Sequence, residues 1–252
     1  MKRKLAENLK RIQRRIERAC ARSGREPDEV RLVAVTKYAT LDVVRALVEF
    51  GVPLLGESRV QELIKRAAAV REWLSRRGGG ASGMPPLAWH MVGHLQRNKV
   101  KALLPWVDMI HSVDSLRLAE EIDAQAARID RRIPVLLEVN SSGEGSKQGV
   151  AVAATTHLAE QLASLEHIEL RGLMTMAPLS DDVRVVRHAF ERVREVFEEI
   201  VLERTCGPRF CELSMGMTHD FEHAIEFGAT YVRIGTALFE GIELAPQPAE
   251  VD

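Results

Sequence analysis

The hexapeptide LVAVTK (Leu32–Lys37) decides how the rest of the chain is read. A run this short, apolar and rich in β-branched residues matches a strand buried on both faces better than a surface helix. Its lysine then stands at the rim of a sheet, where an ammonium needs a partner, an altered pKa or a covalent role. Downstream comes LDVVRALVEFG (Leu41–Gly51), apolar at helical spacing and closed by a glycine at a C-cap position, then the short apolar run LLGE (Leu54–Glu57). Strand, helix, strand is the unit of a parallel sheet, because parallel neighbours need a crossover connection.

The alternation continues outward. Strands are predicted at Arg31–Lys37, Leu54–Glu57, Ala88–Val92, Met109–Ser112, Pro134–Asn140, Leu170–Met174, Phe210–Met215 and Tyr231–Thr236, with amphipathic segments between most of them. Eight such units in 252 residues predict a single (β/α)8 barrel. Residues 1–29 form an extra N-terminal helix and linker, 30–241 the barrel and 242–252 a tail. A doubly wound open sheet is the alternative, but no GxGxxG follows the first strand. In MKRKLAENLKRIQRRIERA, Leu5, Leu9, Ile12, Ile16 and Ala19 follow helical spacing, which predicts a helix packed on the barrel. The basic start lacks the apolar core of a secretory signal.

Composition narrows the function classes. The chain is 46% hydrophobic and 28% charged, with a formal net charge of -1, so neither a nucleic-acid nor a membrane partner is expected. No apolar run approaches the roughly 20 residues needed to span a bilayer. Cys20, Cys206 and Cys211 include no CxxC pair and fit free thiols in a reducing cytoplasm.

In a barrel the C-terminal strand ends build the site. Here they carry Lys37, GESR (Gly56–Arg59), GHLQRNK (Gly93–Lys99), HSVDS (His111–Ser115), SMGMTHD (Ser214–Asp220) and RIGTALF (Arg233–Phe239). Lys37 offers an amine at the mouth; partial desolvation would lower its pKa and suit it to a Schiff base. Ser214, Gly216, Gly235 and Thr236 follow strands seven and eight, where barrels hold phosphate on backbone N–H groups. Lysine and glycines together imply a ligand with both an aldehyde and a phosphate. Two histidine pairs at four-residue spacing, His90/His94 and His219/His223, raise a metal-site alternative. HDFEH lacks the glutamate of HExxH, and His90 reads as a hydrogen-bonded core histidine. Lys147, in GEGSKQG, is a solvated loop lysine or a second amine for the same ligand.

The segments AVTK, GESRVQE, WHMVGHLQRNK, HSVDS, EVNSSGEGSKQGV, LRGLMTMAP and LSMGMTHDFEHAIEFGATYVRIGTALF together resemble the pyridoxal-phosphate homeostasis protein family, from about Arg31 to Gly241. The resemblance implies the barrel of alanine racemase standing alone. It implies pyridoxal 5′-phosphate (PLP) as cofactor, held as an internal aldimine by Lys37. Ser214, Gly235 and Thr236 match the phosphate-binding positions, and Arg233 matches an arginine near the pyridine nitrogen. Ser58 stands where the family usually has asparagine, and His219 where a small residue is common.

The function implied is PLP homeostasis without established turnover, in a cytoplasmic monomer, with PLP-dependent apoenzymes as possible recipients. The alternative is a PLP-dependent amino-acid racemase, which needs a tyrosine from a further domain. Little sequence follows the eighth strand. Of the two tyrosines, Tyr38 adjoins the lysine, and Tyr231 begins the last strand at the end remote from the mouth. A pure protein-interaction module leaves the polar strand ends unexplained.

Overall fold

The computed structural model describes residues 1–77, 86–143 and 148–244. Helix α1 (Lys2–Ser23) precedes β1 (Arg31–Val35), α2 (Leu41–Glu49), β2 (Leu54–Glu57), α3 (Val60–Arg76), β3 (Ala88–Met91), α4 (Val100–Leu103), β4 (Met109–Val113), α5 (Leu116–Ala127) and β5 (Ile133–Asn140). The chain continues through β6 (Val150–Ala151), α6 (Thr155–Ala163), β7 (Ile168–Thr175), α7 (Val183–Glu203), β8 (Glu212–Ser214), α8 (Phe221–Glu226) and β9 (Tyr231–Ile234).

Every strand pairing is parallel, and the sheet closes. Strand β1 pairs with both β2 and β9, and β4 joins β5, so β1–β5 with β7–β9 form an eight-stranded barrel. The two-residue β6 is an addition on β5. The predicted strands all appear, β8 shortened to three residues. Among the boundaries that shift, β9 ends at Ile234 rather than Thr236, and β1 ends at Val35, so that Lys37 lies in the following turn. The chain leaves the sheet because Thr36 turns its hydroxyl to Glu57 Oε1 (2.6 Å), while its N–H still reaches Gly56 O (2.8 Å).

Side chains sort by strand period. Val33, Met109, Leu136, Met174 and Tyr231, from five different strands, meet in one small apolar cluster inside the barrel. Their sequence neighbours, such as Ala34, Ile110, Leu137, Leu173 and Val232, join the larger apolar layer beneath the helices. Helix α1 buries Leu5, Ile12, Ile16, Ala19 and Cys20. Its buried Asn8 donates from Nδ2 to Leu238 O (3.0 Å) and Glu240 O (2.9 Å), which ties the helix to the chain leaving β9.

Candidate functional site

A cavity of 420 Å³ opens at the C-terminal ends of the strands. It is lined by Lys37 and Val35 from the end of β1, Ser58 after β2, His94 after β3, and Glu138 on β5. Met176 lies after β7, Met217, Thr218 and His219 after β8, and Arg233, Gly235 and Thr236 at β9. The volume is in the usual range for a small-molecule site. Of the residues expected at the site, Lys37, Ser58, Arg233, Gly235 and Thr236 meet here. Ser214 does not line the cavity: it is fully buried, directly under Arg233. Lys147 lies outside the described residues.

Lys37 differs from expectation in its environment. It is exposed rather than desolvated, because it stands past the sheet edge on an open turn. Its Nζ sits 5.0 Å from the Tyr38 ring centroid. The turn is held at both ends: Ala39 N–H donates to Thr36 O (2.8 Å), and Arg66 Nη1 donates to Ala39 O (2.6 Å).

Arg233 is the opposite case, a buried guanidinium. Nη1 donates to Ser214 O (2.8 Å) and Ser214 Oγ (2.6 Å), and Nη2 to Thr175 O (2.9 Å). Burial pulls its pKa down to about 10, against the attraction of Asp220 and Glu138. Glu138 is only 3% exposed, and desolvation followed by repulsion from Asp114 pushes its pKa up to about 7, with Arg233 opposing. Among the described residues that line the cavity it is the one carboxyl.

The turns after β8 and β9 are built for close backbone approach. Gly216 has φ +89, and a Cβ there would lie 2.7 Å from Phe221 Cα. A Cβ on Gly235 would lie 3.1 Å from Val35 O. Thr218 Oγ1 accepts from Ala237 N–H (3.3 Å), which leaves its own proton free to donate. These features fit PLP. A primary amine can take the aldehyde, a buried guanidinium can face the ring, and a hydroxyl beside a glycine turn can take the phosphate.

The histidines do not pair up as metal ligands. His90 Nδ1 lies 2.9 Å from His111 Nε2, as a core histidine should, and His94 Nδ1 lies 3.4 Å from Asp114 Oδ2. His223 Nδ1 lies 3.8 Å from Glu226 Oε2. Tyr231 opposes Arg31 at the start of both strands, at the end of the barrel away from the cavity.

Sequence reasoning gave no role to Glu138, His111, Thr218 or the Glu57–Arg66 pair. A signal existed for three of them: Glu57 in LLGE, His111 in MIHSV and Glu138 in PVLLEVN are polar residues inside otherwise apolar strands. Such positions are costly unless satisfied or used.

Comparison with known proteins identifies the family and supports the fold. Residues 7–242 match the alanine racemase N-terminal domain family. The pyridoxal phosphate homeostasis protein of Aquifex aeolicus is 40% identical over 233 residues, covering 92% of this chain and 96% of the relative. A solved protein from Bifidobacterium adolescentis superposes with a TM-score of 0.88 at 39% identity, covering 94% of this chain and 95% of that one. PipY of Synechococcus elongatus, solved with PLP bound, gives a TM-score of 0.72 at 32% identity, covering 89% of this chain and 99% of PipY. This chain belongs to the pyridoxal phosphate homeostasis protein family, built on the alanine racemase N-terminal domain.

Proposed function

We propose that this chain binds PLP in the barrel-mouth cavity, attached covalently through Lys37, and acts as a cytoplasmic carrier or buffer of the cofactor without enzymatic turnover. The observation that carries the reading is the convergence of Lys37, Arg233 and the Gly235–Thr236 turn on one cavity, from strands that are neighbours only in the closed barrel. PLP bound by PipY, a relative of similar length, supports it.

When bound, PLP supplies an aldehyde carbon and an electron-withdrawing ring. The protein supplies the rest. Lys37 Nζ provides the nucleophilic amine on an open turn, accessible to incoming cofactor. Gly235, Thr236 and the Thr218 hydroxyl would hold the phosphate, with backbone N–H groups as donors. Arg233 would stand by the ring nitrogen as a fixed cation and would disfavour a second positive charge there, leaving the ring a weaker sink for electrons. Ser58 lines the wall beside Lys37. An exposed attachment lysine in an open cavity suits loading and release, and PLP-dependent apoenzymes are the recipients on this reading, with the carrier a monomer.

The test is the visible spectrum of purified protein given PLP, followed by borohydride reduction and peptide mapping. A reduced label on Lys37, absent in Lys37→Ala while the fold survives, supports the reading. A label that maps elsewhere, or none at all, overturns the assignment of Lys37.

A further inference from the structure

Inside the barrel, below the cavity, four buried polar side chains form a continuous line. Arg233 Nη1 lies 2.6 Å from Ser214 Oγ, Ser214 Oγ lies 2.9 Å from His111 Nδ1, and His111 Nε2 lies 2.9 Å from His90 Nδ1. Ser214 and His111 are fully buried, and His90 and Arg233 are each 4% exposed. Burial of polar groups at this depth is costly, so the arrangement of protons along the line is decided by what each group can give.

Arginine has no acceptor, so Ser214 Oγ receives from Arg233. A hydroxyl whose oxygen faces a cation is best placed with its hydrogen turned away, and His111 Nδ1 is the acceptor on that side. The imidazole must then carry its proton on Nε2, from which it donates to His90 Nδ1. The reverse order would make His111 Nδ1–H a second donor to Ser214 Oγ, beside the Arg233 N–H, and strand the serine proton where Ser214 has no exposure. In the forward order the spare donor falls at His90 Nε2, on a residue that keeps some exposure. A cationic ring on either histidine is disfavoured by burial, with Arg31 adding to it at His90 and His90, Arg233 and Arg31 at His111. Tyr231 packs edge-on against both rings, at centroid distances of 5.7 and 5.5 Å, and holds them in place.

We propose that His111 is a positioning residue for Arg233, acting through the Ser214 hydroxyl as the middle of a one-way hydrogen-bond chain that runs Arg233 to Ser214 to His111 to His90. The chain holds the guanidinium at the cavity wall from below, and Ser214 serves this chain rather than the phosphate directly. Its consequence for the cofactor rests on the PLP reading above; the chain itself does not.

The experiment therefore has a cofactor-free arm and a PLP arm. In the cofactor-free protein, nitrogen-15 NMR should show both His90 and His111 neutral, with the proton on Nε2. The Arg233 side-chain N–H signals should be slow to exchange in the wild type and faster in His111→Phe. His111 protonated on Nδ1, or unchanged Arg233 exchange in His111→Phe, overturns the proposal. In the PLP arm, His111→Phe and Ser214→Ala should each weaken PLP retention roughly tenfold, as for a hydrogen bond to a charged group, and the double variant no more than either. Independent effects, multiplying to roughly a hundredfold, overturn the coupling. Failure of the wild-type protein to take up PLP would count against the cofactor reading alone, since the NMR arm still decides the chain.

Discussion

Arg66 Nε lies 3.1 Å from Glu57 Oε1, and both side chains are buried next to the turn that carries Lys37. The carboxylate also accepts from Thr36 Oγ1 (2.6 Å), while Arg66 Nη1 donates to Ala39 O (2.6 Å). Thr36 and Ala39 bracket Lys37 and Tyr38, so this one ion pair grips both ends of the turn.

Removing the cation should therefore be costly. Arg66→Met leaves Glu57 buried without its partner and should destabilise the protein by about 3–5 kcal/mol. Glu57→Gln should cost clearly less. Desolvation already raises the Glu57 pKa, and glutamine keeps an acceptor for Thr36. Denaturant unfolding of both variants compares the two losses, and equal losses would show that the pair does not organise this turn.

Glu138 makes the stability of the PLP-free protein depend on pH. Its folded pKa is raised from 4.5 to about 7, so between those values the folded state binds more protons than the unfolded state. Stability then falls as pH rises through that window and is flat above it. Glu138→Gln, a neutral isostere, should abolish that slope and stabilise the protein at pH 8 by up to roughly 3 kcal/mol. Melting curves of wild type and variant from pH 4 to 8 check this; a variant less stable at pH 8 would place a charged, satisfied carboxylate at this position.

The phosphate end separates steric from hydrogen-bond effects. Gly235→Val places a branched side chain against Val35 O and blocks backbone approach, so PLP retention should collapse. Thr218→Ala removes one hydroxyl donor to a charged group and should cost about 1.5–3 kcal/mol, roughly ten- to a hundredfold. Equilibrium PLP binding to both proteins gives the ranking, and unchanged affinity in both would put the phosphate elsewhere.

Incubation of PLP-loaded protein with L- and D-amino acids in deuterated water should give no inversion over many equivalents. Racemisation needs acid–base groups on both faces of the substrate. Tyr231, the tyrosine fixed inside the barrel, is 5% exposed, stacks with Arg31 at 4.0 Å and has a pKa pushed up to about 12 by burial. Among the described residues Glu138 is the cavity's one lining carboxyl, so deuterium exchange without inversion, lost in Glu138→Gln, would trace single-sided proton transfer to it. Sustained inversion would restore the racemase reading.

The sequence by itself determined the parallel barrel. Short apolar strands alternating with amphipathic helices leave few other ways to bury both faces of the sheet. It also determined which strand ends could carry chemistry, since polar and small residues collect there, and Tyr231 falls at the wrong end by its place in the strand. Tertiary structure decided which inward residues meet. A period of two tells that His90, His111 and Ser214 face one side of their strands, but not that residues 103 apart in sequence, His111 and Ser214, come within 2.9 Å. That follows from closure of the barrel, which brings non-neighbouring strands together across its interior. Closure likewise decided the state of Glu138, because a raised carboxyl pKa comes from water excluded by all the surrounding strands rather than from its own neighbours in PVLLEVN. Lys37 stayed exposed for a local reason that only the fold reveals: Thr36 is drawn to a glutamate on the next strand, and the chain turns out of the sheet before the lysine.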